Sequence, residues 1–262
     1  MYLCVTPERV YKTRRLMDAL KQGWGERCEI VVGPPPENDR PFIVWGQRWL
    51  GEELIPKAMQ SGRPFWHIDN GFWDSARGGI TGNYRLSYRG MSPILMEKPD
   101  AKRARGVELA PWRERGRYVL LAYPSMTYGR CIGIDAVKWS HDVTEDLKRS
   151  GLPVRHRPKD CPRPLEQDFA GAFVVVTHSS NVAVEAVIAG IPVVVEPSCA
   201  AAPVASASVH DLSRPDRSQW LASLACQQFT LGEMATGEAY RMMKKIAAQV
   251  DRMRSDDAGQ AV

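Results

Sequence analysis

Short, continuously apolar runs alternate along this chain with stretches whose apolar residues fall at helical spacing. Tyr2–Val5 and the segments 28–32, 41–45 and 65–68 are too short for helices and rich in β-branched or aromatic side chains, so they predict strands. Between them, 8–22 sets Leu16 and Leu20 one turn apart and Val10 and Met17 two turns apart, and 49–60 gathers Leu50, Leu54, Ile55 and Met59 on one side; both predict helices. The second half repeats the alternation. Tyr118–Ala122, Val154–Arg157, 173–176 and Val193–Val195 predict strands, and 135–149, 165–170, 182–189, 219–226 and 230–254 predict helices, with a glycine-bearing loop (Gly129, Gly133) after the first of these strands and a frayed tail after Ser255. Continuous apolar runs suit parallel strands covered on both faces, so the pattern predicts an α/β fold in two parts. The expected limits are a domain over 1–98, a basic linker over 99–117 and a second domain over 118–262 that includes the closing helices.

The sharpest local pattern is 173–197, FVVVTHSSNVAVEAVIAGIPVVVEP. It reads as strand, polar turn, apolar helix, Gly-x-Pro break and strand, a βαβ unit that is right-handed by default. Gly190 suits the left-handed position that ends a helix, and Pro192 prevents its continuation. His178, Ser179, Ser180 and Asn181 lie at the carboxyl end of a strand, where open α/β sheets bind ligands, and where a helix start presents free N–H groups to an anion. An isolated Ser-Ser pair serves equally as a helix cap. Glu185 shifts the balance: as the one charged residue of an otherwise apolar helix it is expected to be buried, and a buried carboxylate needs donors, such as the vicinal hydroxyls of a sugar.

The segment VEAVIAGIPVVV resembles the donor-site motif of GT-B glycosyltransferases, with Glu185, Gly190 and Pro192 matching position by position. The resemblance implies two Rossmann-like domains facing a cleft, a nucleotide-sugar donor (a UDP-sugar) whose ribose meets Glu185, and no required cofactor. Retaining members carry a further Glu where this chain has Thr177, so the likeness leans towards inversion. The Ser-Ser turn is similar to that of capsule-polysaccharide and teichoic-acid-type transferases. Those enzymes also carry an Arg-Pro element beside the donor phosphates, which makes Arg157 and Lys159 candidates for neutralising a diphosphate; a surface turn is the plain alternative. Ser125, at the end of another strand of the same half, completes the expected donor set.

A second informative stretch is 67–90, HIDNGFWDSARGGITGNYRLSYRG. Asp69 ends a predicted strand ahead of Asn-Gly, a position from which a side chain readily faces a ligand, and is the expected catalytic base, with His67 as the alternative. The loop beyond mixes glycine, aromatics and arginine. Arg77, Tyr84, Arg85 and Arg89, with Lys102, Arg103 and Arg105 of the basic linker, form the expected acceptor-binding set, suited to stacking on a base and following phosphates. The bland reading is a hairpin packed on its domain, with Asp69 in an Asx-turn.

Composition changes this picture little. With 262 residues, 44% hydrophobic and 25% charged, the chain has the makeup of a globular protein, and its net charge of +5 allows an anionic partner without requiring one. Scattered cysteines without a CxxC pair, no signal-like N-terminus and no apolar stretch of spanning length lead to the expectation of an intracellular, cytoplasmic protein (host cytoplasm if phage-encoded) without a membrane span, disulfide framework or obligate protein partner. There is no Asp-x-Asp metal pair, GxxxxGK[ST] loop, GxSxG or HExxH, which argues against metal-dependent GT-A enzymes, kinases, ATPases, hydrolases and zincins. The compact length resembles phage enzymes that glycosylate hydroxymethylated pyrimidines such as hydroxymethylcytosine, so double-stranded DNA is the leading expected acceptor. Transfer to a capsule or other surface polysaccharide is the alternative, and a non-catalytic nucleotide-sugar-binding module is the alternative from another class.

Overall fold

The structure, a computed structural model, describes residues 1–25, 27–76 and 79–260. The chain divides into two units, 1–103 with 221–262, and 104–220. Unit 1 opens with β1 (Tyr2–Val5), α1 (Val10–Trp24), β2 (Glu29–Val32), β3 (Phe42–Trp45), α2 (Leu50–Ser61), β4 (Phe65–Asn70) and β5 (Tyr84–Tyr88). Strand β1 is buried along its whole length because it runs between β2 and β3, parallel to both. Strand β2 is the edge, which explains why an apolar run leaves Val32 exposed. On α2, Leu50, Leu54 and Ile55 are buried as expected, but Met59 is exposed.

Unit 2 holds β6 (Tyr118–Ala122), α3 (Met126–Ile132), α4 (Ala136–Arg149), β7 (Val154–Arg157), α5 (Leu165–Phe169), β8 (Ala172–Thr177), α6 (Val182–Ile188) and β9 (Val193–Val195). Its sheet has the order β7-β6-β8-β9, parallel throughout. The segment expected to be a loop contains α3, because the Ser125 hydroxyl accepts the Tyr128 N–H and Gly133 ends the turn in the left-handed conformation. Gly190 does the same for α6 and has a second constraint: a Cβ there would lie 2.1 Å from the Pro111 carbonyl oxygen.

After α7 (Ser218–Ala225) the chain supplies β10 (Gln228–Phe229), α8 (Leu231–Ala235) and α9 (Glu238–Gln260) to unit 1, whose sheet order is β10-β5-β4-β3-β1-β2. Strands β4, β3, β1 and β2 are parallel, whereas β5 and β10 are antiparallel additions. Helices α8 and α9 pack on α1, and Met234, Met243, Ile246 and Val250 join Leu3, Leu16, Met17 and Leu20 in one core. Each such fully buried side chain contributes about 1.5–3 kcal/mol.

The expected limits at 98 and 117 are corrected accordingly. Gln227 exchanges hydrogen bonds of 2.7 and 2.9 Å with the Ile94 backbone, Ser223 accepts the Met96 N–H, and Gln249 bridges Leu95 and Glu97, so the closing helices belong to unit 1. The expected linker is also mostly bound structure. Arg113 donates to the carbonyls of Phe169 and Ala172, while Arg217 stacks on Trp112 and donates to Val187 and Ala110. These arginines satisfy carbonyls at the ends of α5 and α6, which a composition-based reading takes for a solvated run. Among the described residues no helix is long and apolar enough to cross a membrane.

Candidate functional site

Because the unit 2 strands are all parallel, the loops after them share one end of the sheet. From β6 the chain goes out to β7 on one side and returns as β8 on the other, so the switch point lies between the carboxyl ends of β6 and β8. Ser125 follows one of these strands and His178–Ser179–Ser180–Asn181 the other. The sequence therefore places five of its eight expected donor-site residues at the position where this topology leaves a crevice.

Local chemistry there is polar, with hydroxyls, an amide and one carboxylate in neighbouring positions. The Ser180 hydroxyl accepts the Val182 N–H at 3.4 Å, and Asn181, in place of a cap, donates to Glu185 Oε1 at 3.3 Å. Glu185 is half-buried, not enclosed as expected, one turn into α6. His178 lies edge-on to Tyr128 and Trp139, with its Nδ1 3.3 Å from the Ser179 hydroxyl. Burial pushes its pKa down against the opposing pull of Glu196, leaving a neutral ring. Glu196 takes the Trp139 indole N–H at 3.0 Å, and its backbone N–H donates to the His178 carbonyl. Tyr128, Trp139 and Glu196 come from three separate segments, and no spacing in the sequence announces them. Thr177, buried at the end of β8, has a hydroxyl oxygen without a hydrogen-bond partner.

Arg157 departs from expectation. Its guanidinium is turned onto the buried Asp168 carboxylate, which also receives Arg163 at 3.0 Å and Arg155 at 3.4 Å. The cause is alternation: Arg155 and Arg157 share the face of β7 that α5 covers, and Asp168 on α5 needs counter-charges there. A phosphate role for Arg157 would require breaking this network. Lys159 is exposed, two residues beyond β7.

Unit 1 has its own switch point, between β1 and β3. Asp69 is at the end of β4, which reaches Asn70, and stands directly across from Arg85 on β5, with Arg85 Nη2 2.9 Å from Asp69 Oδ2. Gln47, following β3, donates to the same oxygen at 3.5 Å, and the Asn70 N–H donates to Oδ1 at 2.8 Å. Burial works to raise the Asp69 pKa, but Arg85, His67 and the Asn70 N–H outweigh it and hold the carboxyl below its ordinary value. The carboxylate is therefore ionised, and its side chain remains 20% exposed. His67 is corrected as a candidate base. It is fully enclosed, its ring nitrogens have no hydrogen-bond partner, and burial drives its pKa down to about 4.

The expected acceptor set disperses. Tyr84 is buried, donating to the Ile80 carbonyl, and has no surface to stack on a base. Arg85 serves Asp69; Arg89 is paired with Asp251 and the Gly62 carbonyl. Arg103 is spent on Glu233, Glu238 and the carbonyls of Ala225 and Gln228. Lys102 is exposed in unit 1 and Arg105 exposed in unit 2, and Arg77 lies outside the described residues. The arginines of the 84–103 region thus act as internal struts, which explains their interleaving with aromatics: Arg85 rests over Phe72, Arg89 over Tyr88 and Arg103 over Phe229.

No family model matches the sequence, and no curated protein sequence matches it. Among solved structures the chain is similar to Thermosulfurimonas dismutans KpsC, beta Kdo 2,7 transferase, with a TM-score of 0.53 and 13% identity over 95% of this chain and 99% of that one. It is also similar to Thermosulfurimonas dismutans KpsC, beta Kdo 2,4 transferase, with a TM-score of 0.50 and 13% identity over 86% and 90%. At such identity the likeness speaks for the fold: a GT-B-like fold with Rossmann-like units, as the resemblance of the Glu185–Gly190–Pro192 motif implies.

Proposed function

We propose that this protein is a nucleotide-sugar-dependent glycosyltransferase. The observation that carries the reading is the set Ser125, Ser179, Ser180, Asn181 and Glu185 around the switch point of an all-parallel sheet, in a chain with the fold of two sugar transferases. Glu185 accepts the ribose hydroxyls of the donor. Ser179, Ser180, Asn181 and the N–H groups of the same turn face its phosphate, where they take up the charge that grows as the bond to the sugar breaks. The residue we assign to proton transfer is Asp69, whose carboxylate would take the proton from an acceptor hydroxyl as that oxygen forms the new bond to the anomeric carbon and the nucleotide departs with the bonding electrons.

For the acceptor we propose a hydroxyl of a surface polysaccharide rather than a hydroxymethylpyrimidine in DNA. Two observations favour this order: the similar structures are named as Kdo transferases, and Tyr84, Arg89 and Arg103 are committed within unit 1. The test is incubation with a panel of nucleotide sugars together with oligosaccharide acceptors or hydroxymethylated duplex DNA, following nucleotide release and acceptor mass. A mass gain on an oligosaccharide is the expected result. A gain on DNA alone reverses the acceptor reading, and no nucleotide-sugar turnover or binding overturns the whole.

A further inference from the structure

Around Asp69 the carboxyl end of the unit 1 sheet holds residues that the donor chemistry leaves unused. Lys12, on α1, lies over the rings of Trp45 and Tyr84 at 5.0 and 5.2 Å and donates one hydrogen bond to the Ala76 carbonyl. Arg9 stacks on Trp49 at 5.1 Å, in a stretch where Trp49 has a positive φ of 53°. Such a conformation is costly for a bulky residue and persists where surrounding structure enforces it, often beside ligands. Lys12 feels both Asp69 and Arg9, which ties these groups into one neighbourhood; burial holds its ammonium below the usual lysine value. Among the described residues, the groups tied together in this way are three cations, Arg9, Lys12 and Arg85, and the Asp69 carboxylate, with His67 neutral beside Asp69.

Two buried donors here also lack acceptors: the Trp45 indole N–H, in the ring under Lys12, and Arg85 Nε, in the guanidinium beside Asp69. An orphaned buried donor carries a desolvation cost that an incoming acceptor atom removes. Excess positive charge combined with unfilled donors describes a place for oxygen atoms of an anion. A strut that only held α1 to the sheet would need the Lys12–Ala76 hydrogen bond and the ring contacts, but not the unfilled donors.

We infer that the carboxyl end of the unit 1 sheet is a subsite for an acidic acceptor, in which Lys12, Arg85 and the Trp45 N–H hold a carboxylate or phosphate beside the hydroxyl that Asp69 deprotonates. The inference rests on the glycosyltransferase reading for the role of Asp69, but the anion site itself is independent of any nucleotide. Arg9 guides the anion at the rim. Asp69 remains ionised next to it because Arg85 and Lys12 balance both negative charges.

Calorimetric titration of the full chain, without nucleotide, tests this with three disaccharides ending in glucuronic acid, glucose 6-phosphate or glucose. At least one acidic probe is expected to bind about tenfold more tightly than the neutral one, the size of one charge-assisted hydrogen bond. Which acidic probe binds better identifies the anion as carboxylate or phosphate. Lys12→Gln is expected to erase the preference while leaving the glucose-ended probe's affinity and the melting temperature nearly unchanged. If Lys12→Gln does not fold, the exposed Arg9→Gln decides, with an expected loss of about threefold for the acidic probe only. Equal affinity for all three probes, binding of none, or a parallel loss for acidic and neutral probes in the decisive variant overturns the inference. Turnover of a neutral acceptor without acidic preference removes the anion subsite alone; acidic preference without nucleotide-sugar turnover removes the transferase reading alone.

Discussion

The two units build the same parallel core and finish it with opposite chemistry. Unit 1 runs β2-β1-β3-β4 and unit 2 runs β7-β6-β8-β9, so each has a switch point between its first and third parallel strands. In unit 2 the residues at that end are hydroxyls, an amide, a half-buried Glu185 and a neutral His178 set among aromatics. Its dense ion cluster, Asp168 with three arginines, lies against the sheet face instead. In unit 1 the charges are at the strand ends, with Asp69, Arg85 and Lys12 around a neutral His67. One topology thus offers a place where hydroxyls and an amide surround a single carboxylate, Glu185, and a place where cations gather around Asp69. The first suits an exchangeable nucleotide and the second suits proton transfer, which needs a carboxylate held in one ionisation state.

The largest expected effect separates the two ends directly. Asp69→Asn should lower turnover by about 10²–10⁴, the range for loss of a general base, with donor affinity nearly intact. Single-turnover kinetics beside nucleotide titration measures both, and near-normal turnover would remove Asp69 from the chemistry.

Next comes stability. Asp168→Ala leaves three arginines around an empty position, one of them, Arg157, mostly covered, and should destabilise by about 3–5 kcal/mol in denaturant unfolding. Little change in unfolding would mean that Arg157 is available for a ligand after all.

Acid sensitivity should belong to unit 1. The folded His67 pKa of about 4 lies below its unfolded value of 6.5, so between these pH values the unfolded chain binds the extra proton. Stability is then present above pH 6.5 and is lost progressively as pH falls towards 4, by roughly 3 kcal/mol. His67→Leu should flatten that part of the stability curve, as read by denaturation at several pH values, and an unaltered slope would assign the acid limb elsewhere.

The smallest effect is on donor binding. Glu185→Gln should weaken nucleotide-sugar affinity by about 1–3 kcal/mol, the cost of a hydrogen bond to a charged group, with no change in fold. Calorimetry giving the wild-type affinity would take Glu185 out of the ribose position and leave the two switch points without their proposed division.

Much of the unit 2 end is legible from the chain because it is local. Strand, turn, helix start, Gly190 and Pro192 are consecutive, and the period change from strand to helix marks where the polar turn must fall. The aromatic surround of His178 is not legible, since Tyr128, Trp139 and Glu196 arrive from α3, α4 and the end of β9. In unit 1 the sequence singles out Asp69 but not its neighbours: Lys12 is one cation in a helix of many, and Gln47 is an ordinary loop residue. The arginines mislead for the same reason. Arg89 and Arg103 look like free positive charge along the chain and become ion pairs only when α8 and α9 return to them.

Read along the chain alone, the amino acids already specify the alternation of strands and helices, the end of the sheet at which Ser179–Asn181 and Glu185 stand, and the position of Asp69 at a strand terminus. These follow from side-chain periodicity and backbone preferences, which act over a few residues. Packing is what makes the chain close on unit 1, turns Arg157 to Asp168, seals His67 in the core and sets Lys12 over Asp69's end of the sheet. Charges and buried amides choose partners by proximity in space, and burial sets what an unpaired group costs, so their roles appear only once the segments have packed.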